Sequence, residues 1–487
     1  MNSFTALEIY HQGPEAVVSI LMDQARQINL LTQTVKEQEI RIAKLSKDST
    51  NSSKPPSSDV IGKPKREPGD PKRKIGGQKG HPIHERQPFP PGEINHSHDY
   101  HLEICPICKI AGDIIWLPNY EPRKIQQIEI REVVVEKEEH RSYAYWCNHC
   151  RQIHYAPFPP HIVKEGFFKA RVTALVAYMS NVCHASFSTI RKFFRDVLHE
   201  PISRGYLAKI IQKVSCALAQ PYEELLNRLP LESTINVDES GHKENGDRFW
   251  TWVFKAELYV LFKIDKSRGS QVLIDVLGKE FDGVLGCDYF SAYRKYMKDF
   301  NVSLQFCLAH LIRDIKFLTS LPDQATKDYG KRLLDHVKGL FSIIHQHESM
   351  SPQLLMEALT IAKDAIIRAA TEDVPSSINA DGKEEKKEAW NMAKRFREHG
   401  ESYFLFITTP GMDPTNNTAE RAIRFIVIDR HVKQGTRSVK GRQASERIWT
   451  VIATCELNGR SAYDFILKAV TAYFNETKAP SLLPDTS

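Results

Sequence analysis

Apolar residues fall at helical spacing near the start of the chain, in short runs of strand length after residue 232, and at helical spacing again through 321–405. Over residues 15–46 the spacing is a heptad: Leu21, Ile28, Val35 and Ile42 form one row, and Gln24, Leu31, Gln38 and Leu45 the other. Branched residues in the first row with leucines in the second favour a two-stranded parallel coiled coil, which the two glutamines weaken. An amphipathic helix docked on its own protein fits the same pattern. Either way, the sequence predicts a coiled-coil-like helix over 1–46.

Residues 47–101 lose the periodicity and turn to Ser, Pro, Gly and Lys, a composition too polar to offset the entropy of ordering. This linker carries Lys63, Lys65, Arg66, Lys72, Arg73, Lys74 and Lys79, which suit a phosphate backbone or a merely solvated segment. In 102–160 the runs "KIQQIEIREVVVE" and "RSYAYWC" alternate like strands between two cysteine pairs. Helical spacing resumes in 161–225, where "ASFSTIRKFFRDVL" and "SRGYLAKIIQKVSCAL" flank the turn "HEPI", with Ser203 as the expected N-cap. That pair predicts a helix-turn-helix whose second helix presents Arg204, Tyr206, Lys209 and Lys213 to DNA; an ordinary helical hairpin fits too.

After residue 232 five runs read as strands: "STINVDE", "RFWTWVFK", "LYVLFKID", "GVLGCD" and "SLQFCL". Helices are expected after Ser267, Asp288 and Cys307. Three adjacent strands followed by strands alternating with helices describe the mixed sheet of a ribonuclease H-like domain, placed at 226–320 and 406–430. Residues 321–405 read as a helical insertion, and 431–487 as a basic segment ending in a helix near 461–475. The expected fold is multidomain α/β: a ribonuclease H-like catalytic domain with a helical insertion, preceded by a coiled-coil helix, a zinc-binding module and a helix-turn-helix.

Composition narrows the class. The 487 residues are 41% apolar, with no run near the roughly 18 apolar residues of a membrane span. The first residues lack the order of a signal peptide, so a soluble, cytoplasmic, nucleoid-associated protein is expected. The formal charge of +6 is modest, and its crowding in the linker says more than its size. Four of the nine cysteines form Cys105-Pro-Ile-Cys108 and Cys147-Asn-His-Cys150. Two such pairs make a closed tetrahedral Zn²⁺ site of structural type, with His149 a weaker rival ligand.

Three acidic residues carry the candidate chemistry. Asp238 and Asp288 close apolar runs and Glu420 opens a helix, so carboxylates from separate elements could hold two Mg²⁺ (or Mn²⁺) ions for phosphodiester chemistry. Each has a plain alternative. Asp238 could cap a turn, with Glu239 as a rival carboxylate; Asp288 could N-cap the next helix. Glu420 could close a capping box with Asn417 and pair with Arg424. Cys307-Leu-Ala-His310 offers two metal ligands, yet no second pair accompanies it, so Cys307 is read as structural with His310 and Arg313 facing the acidic site or DNA. Arg421, Arg424, Arg430, Lys433, Arg437, Lys440 and Arg442 would then line the acidic pocket.

These stretches resemble the transposases of the insertion sequence 66 family over nearly the whole chain. The resemblance is carried by "NSSKPPSSD", "GGQKGHP", "CPIC", "CNHC", "VDES" with "FWTWVF", "GCDYFSAY", "CLAHLIRDIKF", "NNTAERAIR" and "TCELNG". It implies an acidic (DDE) triad of Asp238, Asp288 and Glu420, and zinc ligands Cys105, Cys108, Cys147 and Cys150. It also implies a DNA transposase acting on element ends and target, in a homodimer or higher oligomer, with small accessory proteins. Lys109, Ser240 and the missing "NW" run after Glu420 depart from the pattern and bear on which DNA ends are recognised. A retired, transposase-derived DNA-binding regulator is the alternative.

Overall fold

The computed structural model describes residues 10–11, 13–47, 88–94, 96–101, 106–107, 117–119, 125–126, 135–378, 384–385 and 388–484. Cys105, Cys108, Lys63, Lys65, Arg66, Lys72, Arg73, Lys74 and Lys79 lie outside the described residues. By contact the chain divides into two units, 1–60 with 140–487, and 61–139. In the second unit a single turn of 3₁₀ helix spans Pro91–Glu93, and the Phe89 backbone is bonded both ways to the Gln126 amide.

The first unit opens with helix α1 (Pro14–Leu45), whose heptad rows stay outside the core: Leu21, Ile28, Leu31, Val35, Ile42 and Leu45 are all exposed. Ala43 packs on the core and Lys44 pairs with Glu388 at 3.1 Å, so docking touches only the last turn. The helix meets its own chain there, while its heptad rows stay exposed. A short hairpin follows, β1 (Ala144–Cys147) against β2 (Gln152–Tyr155). Then come helices α2 (Pro160–Glu165), α3 (Ala170–Asn181), α4 (Phe187–Asp196), α5 (Arg204–Ala217) and α6 (Ala219–Arg228). Ser203 caps α5 as expected, accepting the Tyr206 N–H at 3.1 Å. Val176, Ile190, Phe194, Leu207 and Ile210 interlock α3 to α5.

All five expected strands are present: β3 (Thr234–Glu244), β4 (Asp247–Lys255), β5 (Val260–Asp265), then β6 (Val284–Cys287) after α7 (Gln271–Leu277), and β7 (Ser303–Phe306) after α8 (Ser291–Phe300). They form a mixed sheet in the order β5-β4-β3-β6-β7, antiparallel on the β5-β4-β3 side and parallel on the β3-β6-β7 side. Asn245 and Gly246, both at positive φ, make the two-residue turn between β3 and β4, the backbone a tight hairpin needs. Alternation splits the core. Ile235, Val237, Trp252, Phe254, Leu261, Leu285 and Cys287 join the larger cluster, while Val253, Val260, Phe262 and Ile264 join a second one.

Helix α9 (Leu308–Thr319) leads into the insertion, α10 (Gln324–His345), α11 (Pro352–Thr371), a small hairpin β8 (Ser377–Ile378) with β9 (Glu384–Glu385), and α12 (Glu388–His399). Buried Gln305 on β7 ties its end to the sheet, donating to the Tyr403 carbonyl and accepting from the Phe406 N–H, each at 2.9 Å. The chain closes with α13 (Asn417–Lys433), α14 (Val439–Leu457) and α15 (Ala462–Phe474). Helix α14 replaces much of the expected basic tail. Its Glu446, Thr450 and Thr454 accept the N–H groups of Ile264, Phe262 and Val260 at 2.7, 3.0 and 3.1 Å, covering the β5 edge. Four helical residues rise about 6 Å and two strand residues about 6.6 Å, so the two rows stay in register. Among the described residues no helix is long and apolar enough to cross a membrane.

Candidate active site

Strand β6 pairs with β3 only through Thr234↔Val284 to Asn236↔Gly286. Asp238 and Asp288, each two residues further on, therefore leave the paired region side by side. Because Ile235, Val237, Leu285 and Cys287 face the larger core, the alternate residues Asn236, Asp238, Gly286 and Asp288 share the other face. That is the face of α13, whose Ala419, Ile423 and Ile426 pack with Val253, the register partner of Asp238. Asp238 is thus a mid-strand residue rather than a strand end. Asp288 keeps part of its capping alternative, since its Oδ1 accepts the Phe290 N–H at 2.9 Å.

Glu239 faces the opposite way and is fully engaged. Its Oε1 accepts from Arg268 Nε and Nη2 at 3.0 and 2.7 Å, and its Oε2 accepts the Tyr293 hydroxyl at 2.5 Å. Burial, followed by the negative charges of Glu239, Asp288 and Glu420, pushes the Asp238 carboxyl well above the ordinary range, although the Glu239 N–H opposes this. Burial and Glu239 push Asp288 up to about 7, against the pull of the Phe290 N–H, Arg268 and Arg395. Such an excess of half-buried negative charge fits hard divalent cations with oxygen ligands.

Glu420 reaches this face through a chain of buried amides. Asn416, at the start of α13, accepts from Asn236 Nδ2 at 2.9 Å and donates to the Val237 carbonyl at 2.7 Å, while its backbone N–H donates to Cys307 Sγ at 3.1 Å. Gly286 makes room for the bridge: a Cβ there would lie 2.3 Å from Asn236 Nδ2. The expected capping box is corrected, because the residue before α13 is Asn416 and its side chain serves the strand. The Arg424 pair is replaced as well. Glu420 Oε1 lies 3.6 Å from His310 Nδ1 and 3.5 Å from Arg313 Nη2. Neither His310 Nδ1 nor Glu420 Oε1 has a hydrogen-bond partner within bonding distance. Cys307, His310 and Glu420 place one ligand atom each within 4.8 Å of one another, so the carboxylate supplies the third ligand that the Cys-x-x-His spacing lacked. Burial, reinforced by Arg313, pushes His310 down to about 4, which leaves it neutral near pH 7.

The other candidates divide. On α5, Arg204 and Lys209 are exposed, with Arg204 bonded to Ser188 Oγ at 2.7 Å. Tyr206 and Lys213 turn into the fold instead: the Tyr206 hydroxyl accepts the Phe167 N–H, and Lys213 Nζ donates to the Lys164 and Glu165 carbonyls that end α2. Arg421, Arg424, Arg437 and Lys440 are exposed. Arg430 is committed to Ser240 and the Gly241 carbonyl, Lys433 to Asp429 and Asn181, and Arg442 to Glu244. These last three brace β3 and the helical unit rather than line an acidic pocket. Cys147 and Cys150 flank the turn between β1 and β2, and Cys150 Sγ lies 3.0 Å from His154 Nε2. His154, four residues beyond the cysteine, is a neighbour that the pair spacing does not advertise.

Two family descriptions match parts of the chain. Residues 11–87 match a family of unknown function (DUF6444). The chain is similar to "Uncharacterized protein y4hP" of Sinorhizobium fredii (strain NBRC 101917 / NGR234), 22% identical over 381 residues, spanning 72% of this chain and 66% of that protein. Residues 165–444, more than half of the chain and including β3 to β7 with all three acidic residues, match the family described as Transposase IS66 family, and to that family the chain belongs.

Proposed function

We propose that this member is a metal-dependent DNA transposase that cuts element ends and joins them to target DNA, using Asp238, Asp288 and Glu420 as its acidic triad. One observation carries the reading: two aspartates leave adjacent parallel strands on the face to which Asn416 pins the glutamate's helix. The sheet order, three antiparallel strands continued by two parallel ones, supports a ribonuclease H-like catalytic domain. The three carboxylates would hold two Mg²⁺ or Mn²⁺ ions, which supply activation of the attacking oxygen and stabilisation of the leaving one. Asn416 and Asn236 fix where Glu420 points. Arg268 and Tyr293 hold Glu239 away from the triad. Exposed Arg421 and Arg424 beside Glu420 suit the DNA backbone, as Arg204 and Lys209 do on α5.

By the spacing of their two pairs in the sequence, Cys105, Cys108, Cys147 and Cys150 suit one structural Zn²⁺. The exposed heptad rows of α1 suit a second copy of the chain in a parallel coiled coil. The central test is Asp288→Asn. It should abolish end cleavage and strand transfer while end-DNA binding persists, because it removes a cation ligand and no remote DNA contact. Near-normal strand transfer by that protein overturns the assignment.

A further inference from the structure

Glu420 stands between two chemically different sets of ligands. On one side are the oxygen-only carboxylates of Asp238 and Asp288; on the other are a thiol and an imidazole. Tetrahedral ligands at about 2.0–2.3 Å from an ion lie about 3.3–3.8 Å apart. His310 Nδ1 and Glu420 Oε1, at 3.6 Å, already have that spacing, and one ligand atom from each of Cys307, His310 and Glu420 lies within 4.8 Å of the other two. The two ligand atoms of His310 and Glu420 are buried without hydrogen bonds, the carboxylate oxygen having only the longer Arg313 ion pair at 3.5 Å. Cys307 is the N-cap residue of α9, and its sulfur accepts the Asn416 N–H.

We propose that Cys307, His310 and Glu420 form a site for one borderline-soft divalent cation of the Zn²⁺ class, and that filling it withdraws Glu420 from the aspartates. The regulatory half rests on the triad reading above; the binding half does not. Mg²⁺ disfavours sulfur and a neutral imidazole, whereas Zn²⁺ takes Cys, His and carboxylate together with an open fourth position. A thiolate and a carboxylate balance the charge of the ion. Arg313, which now shares Glu420 Oε1, gives up that oxygen when the cation takes it. The protein would thus work on Mg²⁺ or Mn²⁺ and stall when Zn²⁺ rises, through a ligand set built into the same helix ends that place the glutamate.

Binding is tested without activity, by titrating full-length protein with Co²⁺ and Zn²⁺. The Cys147–Cys150 knuckle contributes equally to native protein and to Cys307→Ser, so their difference reports this site. Cys307→Ser should bind about one metal ion fewer per chain and lose the matching part of the thiolate-to-Co²⁺ absorption. His310→Gln, whose residue is less buried, should lose the same ion and serves if circular dichroism shows Cys307→Ser misfolded. Asp288→Asn should keep it. Inhibition of cleavage by Zn²⁺ in excess Mg²⁺, expressed as a ratio within each protein, should weaken at least about tenfold in the two site variants. Equal metal content and absorption in native and variant proteins overturn the site, as does loss of the ion in Asp288→Asn. Loss of the ion with undiminished Zn²⁺ inhibition overturns the regulatory half alone. An Asp288→Asn protein that still transfers strands refutes the triad and leaves the binding result standing.

Discussion

His242 lies 3% exposed on β3, with Nε2 3.1 Å from Thr436 Oγ1 and Nδ1 without a partner. Burial, then the charges of Arg430 and Arg442, push it from 6.5 to about 4, so the fold holds the neutral ring. The neutral form's advantage is complete above pH 6.5 and is lost as pH falls from 6.5 toward 4. The loss should reach about 3 kcal/mol at about 1.4 kcal/mol per pH unit. Urea unfolding of His242→Gln across that window should show a shallower fall than native protein; parallel curves would reject the burial argument. The three carboxylates stood out in the sequence because Asp238 and Asp288 follow apolar runs and Glu420 opens a helix, although Asp238 itself lies mid-strand. Asn416 was not. Local spacing selects Asn417, three residues before Glu420, whereas the partner that claims Asn416 is Asn236, 180 residues earlier. Cys307 and His310 were visible as a pair, and only the fold supplied Glu420 as their third member.

Among the elements, the strands were legible as short, largely apolar runs between polar segments, and Asn245-Gly246 marks the first hairpin turn in the sequence itself. Helix α14 was not, for a physical reason. Its first turn is basic and reads as a tail, and three buried positions, Glu446, Thr450 and Thr454, are polar because they cap the β5 edge. They interrupt the apolar face formed by Ile448, Trp449, Val451, Ile452 and Cys455, which blurs the helical pattern. Thr450→Val keeps the shape and removes the acceptor, leaving the Phe262 N–H buried and unpaired at a cost of about 1–3 kcal/mol. Thr450→Ser retains the oxygen and should cost clearly less. Chemical unfolding of both variants measures this, and a Val variant as stable as the native protein would show that the edge bond contributes nothing. Helix α5 shows the opposite limit. Its existence and cap were legible, while the inward turn of Tyr206 and Lys213 depended on α2, which the hairpin pattern does not include.

For the whole molecule, the commitment of Lys213 and Tyr206 to the fold changes how DNA binding should divide between linker and helix. Lysines and arginines of a polar linker meet phosphates of any sequence, so Lys72, Arg73 and Lys74 should add affinity without discrimination. Arg204 and Lys209 are exposed on a helix held by α3, α14 and α15, the rigid support that base-edge contacts require. Neutralising the three linker residues should weaken binding to end DNA and scrambled DNA alike, and flatten the salt dependence by a slope of about one per lost phosphate contact. Arg204→Ala with Lys209→Ala should narrow the gap between end and scrambled DNA more than it lowers scrambled binding. Tyr206→Phe should leave that gap unchanged, because its hydroxyl is spent on the Phe167 N–H. Paired salt-series titrations on the two DNAs read all three variants. A linker variant that loses specificity while the helix variant keeps it would reverse the assignment. Base reading would then belong to the basic segment, and α5 would be a structural helix carrying two solvated cations.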